Sequence, residues 1–254
     1  MKPYFVAANW KMNGSQRLVS EIIEAVQGVK SDSVDIGLFL PSPYMAVAAS
    51  VVGQTMIVGA QHVSQHESGA FTGEVSCAML RDIGVCAALI GHSERRQYFG
   101  ETDDLCGQRL MTVLRHGIAP VFCVGETLEE RKQGVVETVI AAQLEAIDTS
   151  IEYANPAINF TIAYEPVWAI GTGEQASPDE AGEVHAFIRS QVVERWPELT
   201  PSLRVLYGGS VKADNVRSFA QKPQIDGVLV GGASLDVATF TEICEEVAAV
   251  AQEA

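Results

Sequence analysis

Glu165 stands where an apolar segment gives way to a loop. The segment Ile158–Ile162 predicts a buried strand, and Pro166 prevents the strand ladder from continuing. The loop that follows, Val167–Ile170, is apolar and runs into the glycine-containing Gly171–Gly173, whose backbone can rotate freely. A hinged apolar loop beside a carboxylate predicts a lid that closes over a base and excludes water. The alternative is an ordinary strand-to-helix connection with a buried tryptophan.

Candidate partners for such a base follow two other apolar segments. His92 precedes a predicted helix, whose amino terminus disfavours the charged ring, so a neutral histidine able to donate a hydrogen bond is expected. Asn9 and Lys11 are two residues apart and share a face if the first strand continues that far. Alone, such a histidine is more often structural and such a lysine more often a solvated surface group. Arg95 and Arg96 are interpreted as ion-pair partners of nearby acids.

Two glycine pairs indicate a binding site for an anion. Tyr207–Val211 and Val230–Ser234 each contain two adjacent glycines after an apolar segment and before a predicted helix. Paired glycines let backbone N–H groups approach a ligand closely, and helix amino termini attract phosphate. Either pair alone could simply form a tight turn. Their occurrence after two successive strands favours phosphate binding.

The elements that must position these groups recur about every thirty residues, which is the spacing of βα units. The predicted strands are Tyr4–Ala8, Asp35–Leu40, Met56–Gly59, Ala87–Gly91, Ala119–Val124, Asn159–Tyr164, Arg204–Tyr207 and Asp226–Val230. Helical periodicity covers Leu18–Val26, Val136–Ile147 and Val237–Val247, and Ser177–Glu180 has the residues of a helix start. Eight such units predict one (β/α)₈ barrel domain over residues 1–254, with a doubly wound open sheet as the alternative.

Composition limits the class of protein. The chain has 254 residues, a net charge of −15 and 47% hydrophobic residues. This charge argues against nucleic-acid and anionic-membrane partners, because both require a basic surface. The five cysteines form no C-x-x-C pair, and Cys86 and Cys123 lie in or beside apolar segments, where a thiol behaves as a small hydrophobe. With no secretory signal or membrane-length apolar run, we expect a cytoplasmic protein.

Taken together, these segments resemble the triosephosphate isomerase family. The matching motifs are Asn9–Gly14, Gly91–Arg96, Cys123–Glu126, Ala163–Gly173, Tyr207–Ser210 and Val230–Ser234. They occur in the order typical of the family and extend over nearly the whole chain. The resemblance implies a (β/α)₈ barrel enzyme that interconverts dihydroxyacetone phosphate and D-glyceraldehyde 3-phosphate without a metal or organic cofactor.

The resemblance also assigns a catalytic role to individual residues. Glu165 would move a proton between adjacent carbons, and neutral His92 would polarise the carbonyl and transfer protons between the two oxygens. Lys11 would stabilise the negative charge of the enediolate and of the phosphate. Asn9 would orient the substrate oxygens, and Glu94 would support Lys11 and His92.

The same resemblance implies how the phosphate is held and how the base is strengthened. The phosphate would accept hydrogen bonds from the N–H groups of Gly171, Ser210, Gly231 and Gly232. On closure of the lid, Ile170 and Leu229 would press on the catalytic carboxylate, disfavouring its charged form.

Two positions depart from the usual pattern of the family. Glu174 occupies a position after the lid where lysine is usual, and His62 occupies a position where asparagine is common. The segment 59–74 still resembles the loop through which the family forms homodimers, so a homodimer is expected.

Other interpretations remain open at this point. Gly171–Ala176 formally matches a dinucleotide-binding fingerprint, which would suit an oxidoreductase, but six residues separate it from Glu165. A non-catalytic phosphate-binding barrel would retain the glycine loops without needing a base. An aldolase with a Schiff-base lysine is disfavoured because Lys11 is expected to neighbour Glu94. His62 and His66 have helical spacing but lie in a loop with no evident third ligand, so no metal site is expected.

Overall fold

A computed structural model of the protein describes residues 2–29, 32–53, 55–155, 157–170 and 175–253. Eight parallel strands form a closed barrel in chain order, because β8 pairs with β1. The strands are β1 Tyr4–Asn9, β2 Val34–Leu40, β3 Ile57–Ala60, β4 Ala87–Ile90, β5 Ala119–Val124, β6 Phe160–Tyr164, β7 Leu203–Tyr207 and β8 Gly227–Val230. All eight predicted strands are confirmed, each boundary within one residue, and the open-sheet alternative is wrong.

Helices surround the barrel. They are α1 Gln16–Val26, α2 Ser42–Val52, α3 Cys77–Asp82, α4 Ser93–Phe99, α5 Asp103–Arg115, α6 Leu128–Lys132, α7 Val136–Leu144, α8 Pro178–Arg195, α9 Ala213–Ala220 and α10 Val237–Glu253. The apolar periodicity that was expected to continue to Ile147 is divided between α7 and a 3₁₀ helix, Glu145–Thr149.

Local sequence signals account for where α8 begins. The Ser177 hydroxyl accepts the backbone N–H of Glu180, and the Glu180 carboxylate accepts the backbone N–H of Ser177. This reciprocal capping, together with Pro178 in the first turn, satisfies donors that a helix leaves free. The predicted helix start at Ser177 is therefore confirmed.

Two apolar layers hold the barrel together. Side chains alternate along β1, so that Phe5 and Ala7 lie inside the barrel while Val6 and Ala8 contact the helix layer. Phe39, Leu89, Val121, Leu206 and Leu229 belong to the same interior cluster. Because the interior is filled with side chains, space for a ligand lies at the ends of the strands.

All five cysteines lie within the described residues, and all are free. Cys123 is fully buried, as expected for a thiol that acts as a small hydrophobe, but Cys86 is exposed. Cys86 directly precedes β4, at the amino-terminal end of the barrel, and lies outside the packed strand. In the part of the chain that the structure describes, no helix is long and apolar enough to cross a membrane.

Candidate active site

A cavity of about 400 Å³ lies at the carboxyl ends of the strands. Its wall contains residues that lie at the ends of β1 and β8 or follow β1, β4, β6, β7 and β8: Asn9, Lys11, His92, Glu165, Ile170, Gly208, Gly209, Ser210, Val211, Lys212, Leu229, Gly231, Gly232 and Ala233. Nine of the predicted site residues are among them. A larger cavity of about 490 Å³, lined by Lys2, Tyr4 and Asp226 among others, lies at the opposite end of the barrel and contains none of these groups.

Glu165 lies directly after β6 and is almost completely buried, with 2% of its surface exposed. Its Oε2 accepts the backbone N–H of Ser93 at 2.9 Å, and its Oε1 lies 3.0 Å from Nε2 of His92. Burial alone would raise the pKa of this carboxyl, but His92, the Ser93 N–H and Lys11 outweigh it and hold the pKa below its ordinary value. In this arrangement Glu165 is ionised and bound by two donors.

His92 forms the amino-terminal cap of α4. Its Nδ1 accepts the backbone N–H of Glu94 at 3.2 Å, an interaction that only the neutral ring can make. Burial lowers the pKa of His92, whereas the charges of Glu165 and Glu94 raise it, so the pKa lies above its ordinary value. Because Nδ1 is occupied by a donor, we assign the single ring proton to Nε2, which faces Glu165. The raised pKa favours the charged ring, whereas the hydrogen bond favours the neutral ring expected from the helix position. We follow the hydrogen bond, because a proton on Nδ1 would point at the Glu94 N–H.

Hydrogen bonds to both backbone groups of Gly91 fix the turn that precedes His92. The N–H of Gly91, which has φ +71°, is accepted by Glu101, and its carbonyl accepts Nε of Arg96. Arg96 also pairs with Asp103, and Arg95 pairs with Glu101. The prediction that both arginines are ion-pair partners of nearby acids is therefore confirmed.

Lys11 adopts the left-handed backbone conformation with φ +51°, at the point where the chain leaves β1. Its backbone N–H is donated to Oδ1 of Asn9 at 3.0 Å, and its Nζ lies 2.6 Å from Oε1 of Glu94. The expected neighbourhood of Lys11 and Glu94 is present, although Glu94 does not line the cavity itself. The cation thus reaches the cavity from a strained turn.

The glycine pairs that follow β7 and β8 form one wall of the cavity. Ser210 is half-buried. Gly231 immediately precedes a short 3₁₀ helix, Gly232–Leu235, and Gly232 is the first residue of that helix. Asn215 fixes the loop after β7, because its amide accepts the backbone N–H of Lys212 and donates to the carbonyl of Ser210. Gly171, the fourth predicted phosphate ligand, lies outside the described residues, as does Glu174.

The beginning of the predicted lid is bound to a residue that the sequence analysis did not single out. Glu126, which is fully buried, accepts hydrogen bonds from the Trp168 indole at 2.8 Å and from the Tyr164 hydroxyl at 3.1 Å. Arg131 lies over the Trp168 ring. The motif Cys123–Glu126 includes this residue, but its sequence does not indicate that Trp168 is the partner of Glu126. Ile170, just beyond, is half-buried and lines the cavity together with the buried Leu229.

The segment 59–74 contributes no residue to the cavity wall. His62 lies 2.9 Å from Glu74, and Phe71, which is 43% exposed, stacks on His66. Burial and the nearby Arg95 and Arg109 lower the pKa of His62 to about 4, so this ring is neutral near pH 7. Within the described residues, no group of His, Cys, Asp and Glu is arranged to hold a metal ion.

Comparison with known proteins agrees with this geometry. The family model for triosephosphate isomerase matches residues 4–247. Triosephosphate isomerase from Carboxydothermus hydrogenoformans is 46% identical over 249 residues, covering 96% of this chain and 98% of the relative. Triosephosphate isomerase from Alcanivorax borkumensis is 45% identical, and the match covers 94% of this chain and 96% of the relative. Triosephosphate isomerase from Thiobacillus denitrificans is 44% identical, and the match covers 98% of this chain and 100% of the relative. The chain belongs to the triosephosphate isomerase family.

Proposed function

We propose that this protein is an isomerase that interconverts dihydroxyacetone phosphate and D-glyceraldehyde 3-phosphate through an enediolate. The observation that carries the proposal is the buried Glu165 carboxylate, 3.0 Å from His92, in the cavity that also contains Lys11 and the glycine loops. A base, a neutral hydrogen-bond donor, a cation and a phosphate cradle are the four functions that this reaction requires.

Glu165 acts as the base that removes a carbon-bound proton and returns it to the adjacent carbon. In the free protein it is a weak base, because His92 and the Ser93 N–H lower its pKa. A substrate whose oxygens bind Nε2 of His92 would displace the carboxylate from that donor. Glu165 would then remain buried with fewer partners, its pKa would rise, and it would become a stronger base.

His92, Asn9 and Lys11 act on the substrate oxygens. The Nε2–H of His92 polarises the carbonyl and transfers protons between the two oxygens as the enediolate forms and collapses. Lys11 stabilises the negative charge of the intermediate, and Asn9 orients the oxygens while fixing the Lys11 turn through the hydrogen bond at 3.0 Å. Glu94 fixes the ammonium group at 2.6 Å. Donors that are oriented before the reaction begins stabilise the transition state most effectively.

The phosphate is bound by backbone N–H groups of Gly171, Ser210, Gly231 and Gly232. Residues 167–173 act as a lid, a type of loop for which triosephosphate isomerases are a standard example. Its closure presses Ile170 and Leu229 against the carboxylate and excludes water, which protects the enediolate from losing its phosphate. The presence of both side chains in the cavity wall supports this role.

No observation favours a non-catalytic phosphate-binding barrel. Such a protein would need no base, whereas this cavity wall contains a carboxylate with 2% exposure together with His92 and Lys11. The fingerprint on which an oxidoreductase would depend lies mostly outside the described residues.

The test of the proposal is isomerisation of D-glyceraldehyde 3-phosphate, followed with an auxiliary NADH-dependent dehydrogenase. The wild type should turn over rapidly. Glu165→Asp shortens the side chain by one methylene and should reduce kcat by at least about a hundredfold, because a base misplaced by about 1 Å loses that much. Val193→Asp, at an exposed position on α8, is the control and should retain activity. A folded wild type without activity would refute the proposal.

We further propose that the protein is a homodimer that associates through the segment 59–74. Phe71 and Met79 are 43% and 57% exposed on or next to this segment, an exposure of apolar surface typical of interaction sites. Analytical ultracentrifugation at micromolar concentration should give twice the mass of the chain. Phe71→Asp should shift the mass towards the monomer, whereas Val193→Asp should not. A monomeric wild type would contradict the homodimer.

The remaining expectations extend the same proposal. We treat residues 1–254 as one barrel domain, which is supported by strands from Tyr4 to Val230 that close a single sheet. We propose a cytoplasmic location, which is supported by five free cysteines. Limited proteolysis should give no stable subfragment, and fractionation of the source cells should recover the protein with the cytoplasm.

A further inference from the structure

Lys212 is an exposed cation on the wall of the cavity that the sequence analysis did not assign to any function. It follows the Ser210 loop and immediately precedes α9. We propose that Lys212 is a second phosphate-binding cation, which attracts the dianionic ligand and holds it against the backbone donors of Ser210, Gly231 and Gly232. This inference rests on the proposed function, because it concerns the phosphate group of the same substrate.

The backbone at Lys212 is fixed, although its side chain is exposed. Asn215 accepts the Lys212 N–H at 2.9 Å and donates to the carbonyl of Ser210 at 3.1 Å, and its amide also donates to Gln175 at 2.7 Å. One side chain therefore connects the Lys212 backbone, the Ser210 loop and a residue just beyond the lid. Lys212 and Ser210 are held in a constant relationship at the point where the phosphate is expected.

The balance of charge around the cavity indicates why a second cation is needed. Lys11 is paired with Glu94, and Glu165 contributes a further carboxylate to the cavity wall. Lys11 is thus engaged by a carboxylate, whereas no ion pair of Lys212 occurs among the described residues. The chain as a whole carries a net charge of −15, which repels a dianionic substrate before it reaches the site.

The experiment compares Lys212→Gln with Lys222→Gln. Lys222 lies beyond the other end of α9 and pairs with Asp179, so both variants change the net charge equally but at different places. At low ionic strength, Lys212→Gln should lower kcat/KM about three- to tenfold through KM, with kcat within about twofold of wild type. Lys222→Gln should stay within about twofold of wild type. The difference should shrink as salt is added, because the lysine is exposed.

Lys212→Arg serves as the conservative variant, because it keeps the charge and should restore KM to near the wild-type value. Equal effects of Lys212→Gln and Lys222→Gln, a loss that does not depend on salt, or a fall in kcat as large as that in kcat/KM would each overturn the inference. Circular dichroism and thermal unfolding would verify that all three variants fold.

A measurement with inorganic phosphate separates this inference from the proposed function. In calorimetric titrations, phosphate should bind Lys212→Gln about three- to tenfold more weakly than it binds wild type and Lys222→Gln. If Lys212→Gln binds phosphate more weakly but the wild type has no isomerase activity, the role of Lys212 in phosphate binding would stand and the proposed reaction would be refuted. Equal phosphate binding by the two variants in an active enzyme would overturn the inference and retain the reaction.

Discussion

The ammonium group of Lys11 lies 2.6 Å from the carboxylate of Glu94, and it reaches that position from a backbone with φ +51°. Lys11 is the only non-glycine residue with positive φ in the part of the chain that the structure describes. This conformation costs an L-residue about 1–2 kcal/mol. Strain of this size persists where the surrounding structure enforces it, which is common at functional sites.

This strain leads to a prediction about stability and activity at one position. Lys11→Gly and Lys11→Ala both remove the ion pair with Glu94, but only glycine adopts positive φ without a steric penalty. The free energy of unfolding, measured by urea denaturation, should therefore be about 0.5–1 kcal/mol higher for the glycine variant than for the alanine variant. Both should lose most isomerase activity. An alanine variant as stable as the glycine variant would show that the turn is not strained.

The hydrogen bond from Ser93 to Glu165 can be removed without disturbing the helix. Ser93 is the first residue of α4 and follows His92 with ψ 139°, a geometry that accepts proline. Ser93→Pro removes the N–H that lowers the pKa of Glu165 and puts a ring carbon in its place. The carboxylate therefore loses this donor and must move away from it, and its pKa should rise. Because Glu165 acts as a base only when it is ionised, activity is lost as pH falls through its pKa. The acid limb of kcat/KM should therefore move to higher pH.

Ser93→Ala is the matched control, since it removes the hydroxyl but retains the N–H. Ionisation of the substrate phosphate affects both variants equally and cancels in the comparison. Identical acid limbs for the proline and alanine variants would mean that the Ser93 N–H does not control the base.

The predictable parts of this protein are those that local sequence determines. Each strand is a short apolar segment bounded by turn residues, so its position could be assigned within one residue. The carboxyl ends of parallel strands meet at one end of a barrel, which is why Asn9, His92 and Glu165 could be expected in one site.

Contacts between distant segments were not predictable in the same way. Glu126 accepts a hydrogen bond from Trp168, 42 positions away, and this pairing requires β5 and β6 to be adjacent. Lys212 was overlooked because an exposed lysine near a helix start has no distinguishing pattern. Its significance comes from the neighbouring Ser210 and Gly232 in the cavity wall, which only the closed barrel brings together.

Adding one methyl group should affect substrate binding at Gly232 but stability at Gly125. A Cβ at Gly232 would meet no protein atom within 4 Å and would project into open space beside the expected phosphate. Gly232→Ala should therefore keep the stability of the wild type and raise KM about tenfold or more, because the close approach of a ligand to the backbone is lost. A Cβ at Gly125 would overlap the backbone carbonyl of Glu165. Gly125→Ala should lower the free energy of unfolding by about 2 kcal/mol or more.

Thermal unfolding and steady-state kinetics of both glycine variants would check this contrast. Gly28→Ala is the control, since a Cβ there also meets nothing within 4 Å and the residue lies away from the cavity. It should leave KM unchanged. A normal KM for Gly232→Ala would exclude a phosphate at that backbone.

His185 should make the protein sensitive to mild acid. It is fully buried on α8, and burial, together with the nearby Arg189, lowers its pKa to about 3. In the unfolded chain its pKa is about 6.5, so between these values the unfolded state binds a proton that the folded state does not. Stability is therefore lost as pH falls below about 6.5 and is fully present above it.

His185→Phe should reduce this acid sensitivity. Phenylalanine can retain the edge contact with Tyr164 that the histidine ring makes at 5.9 Å, but it cannot be protonated. Between pH 7 and pH 5, the free energy of unfolding should fall about 2 kcal/mol further in the wild type than in the variant. Urea denaturation at the two pH values measures this difference, and any constant packing penalty of the substitution cancels. An equal fall in both proteins would mean that the buried ring is protonated in the folded state, or that acid destabilises the protein through other groups alone.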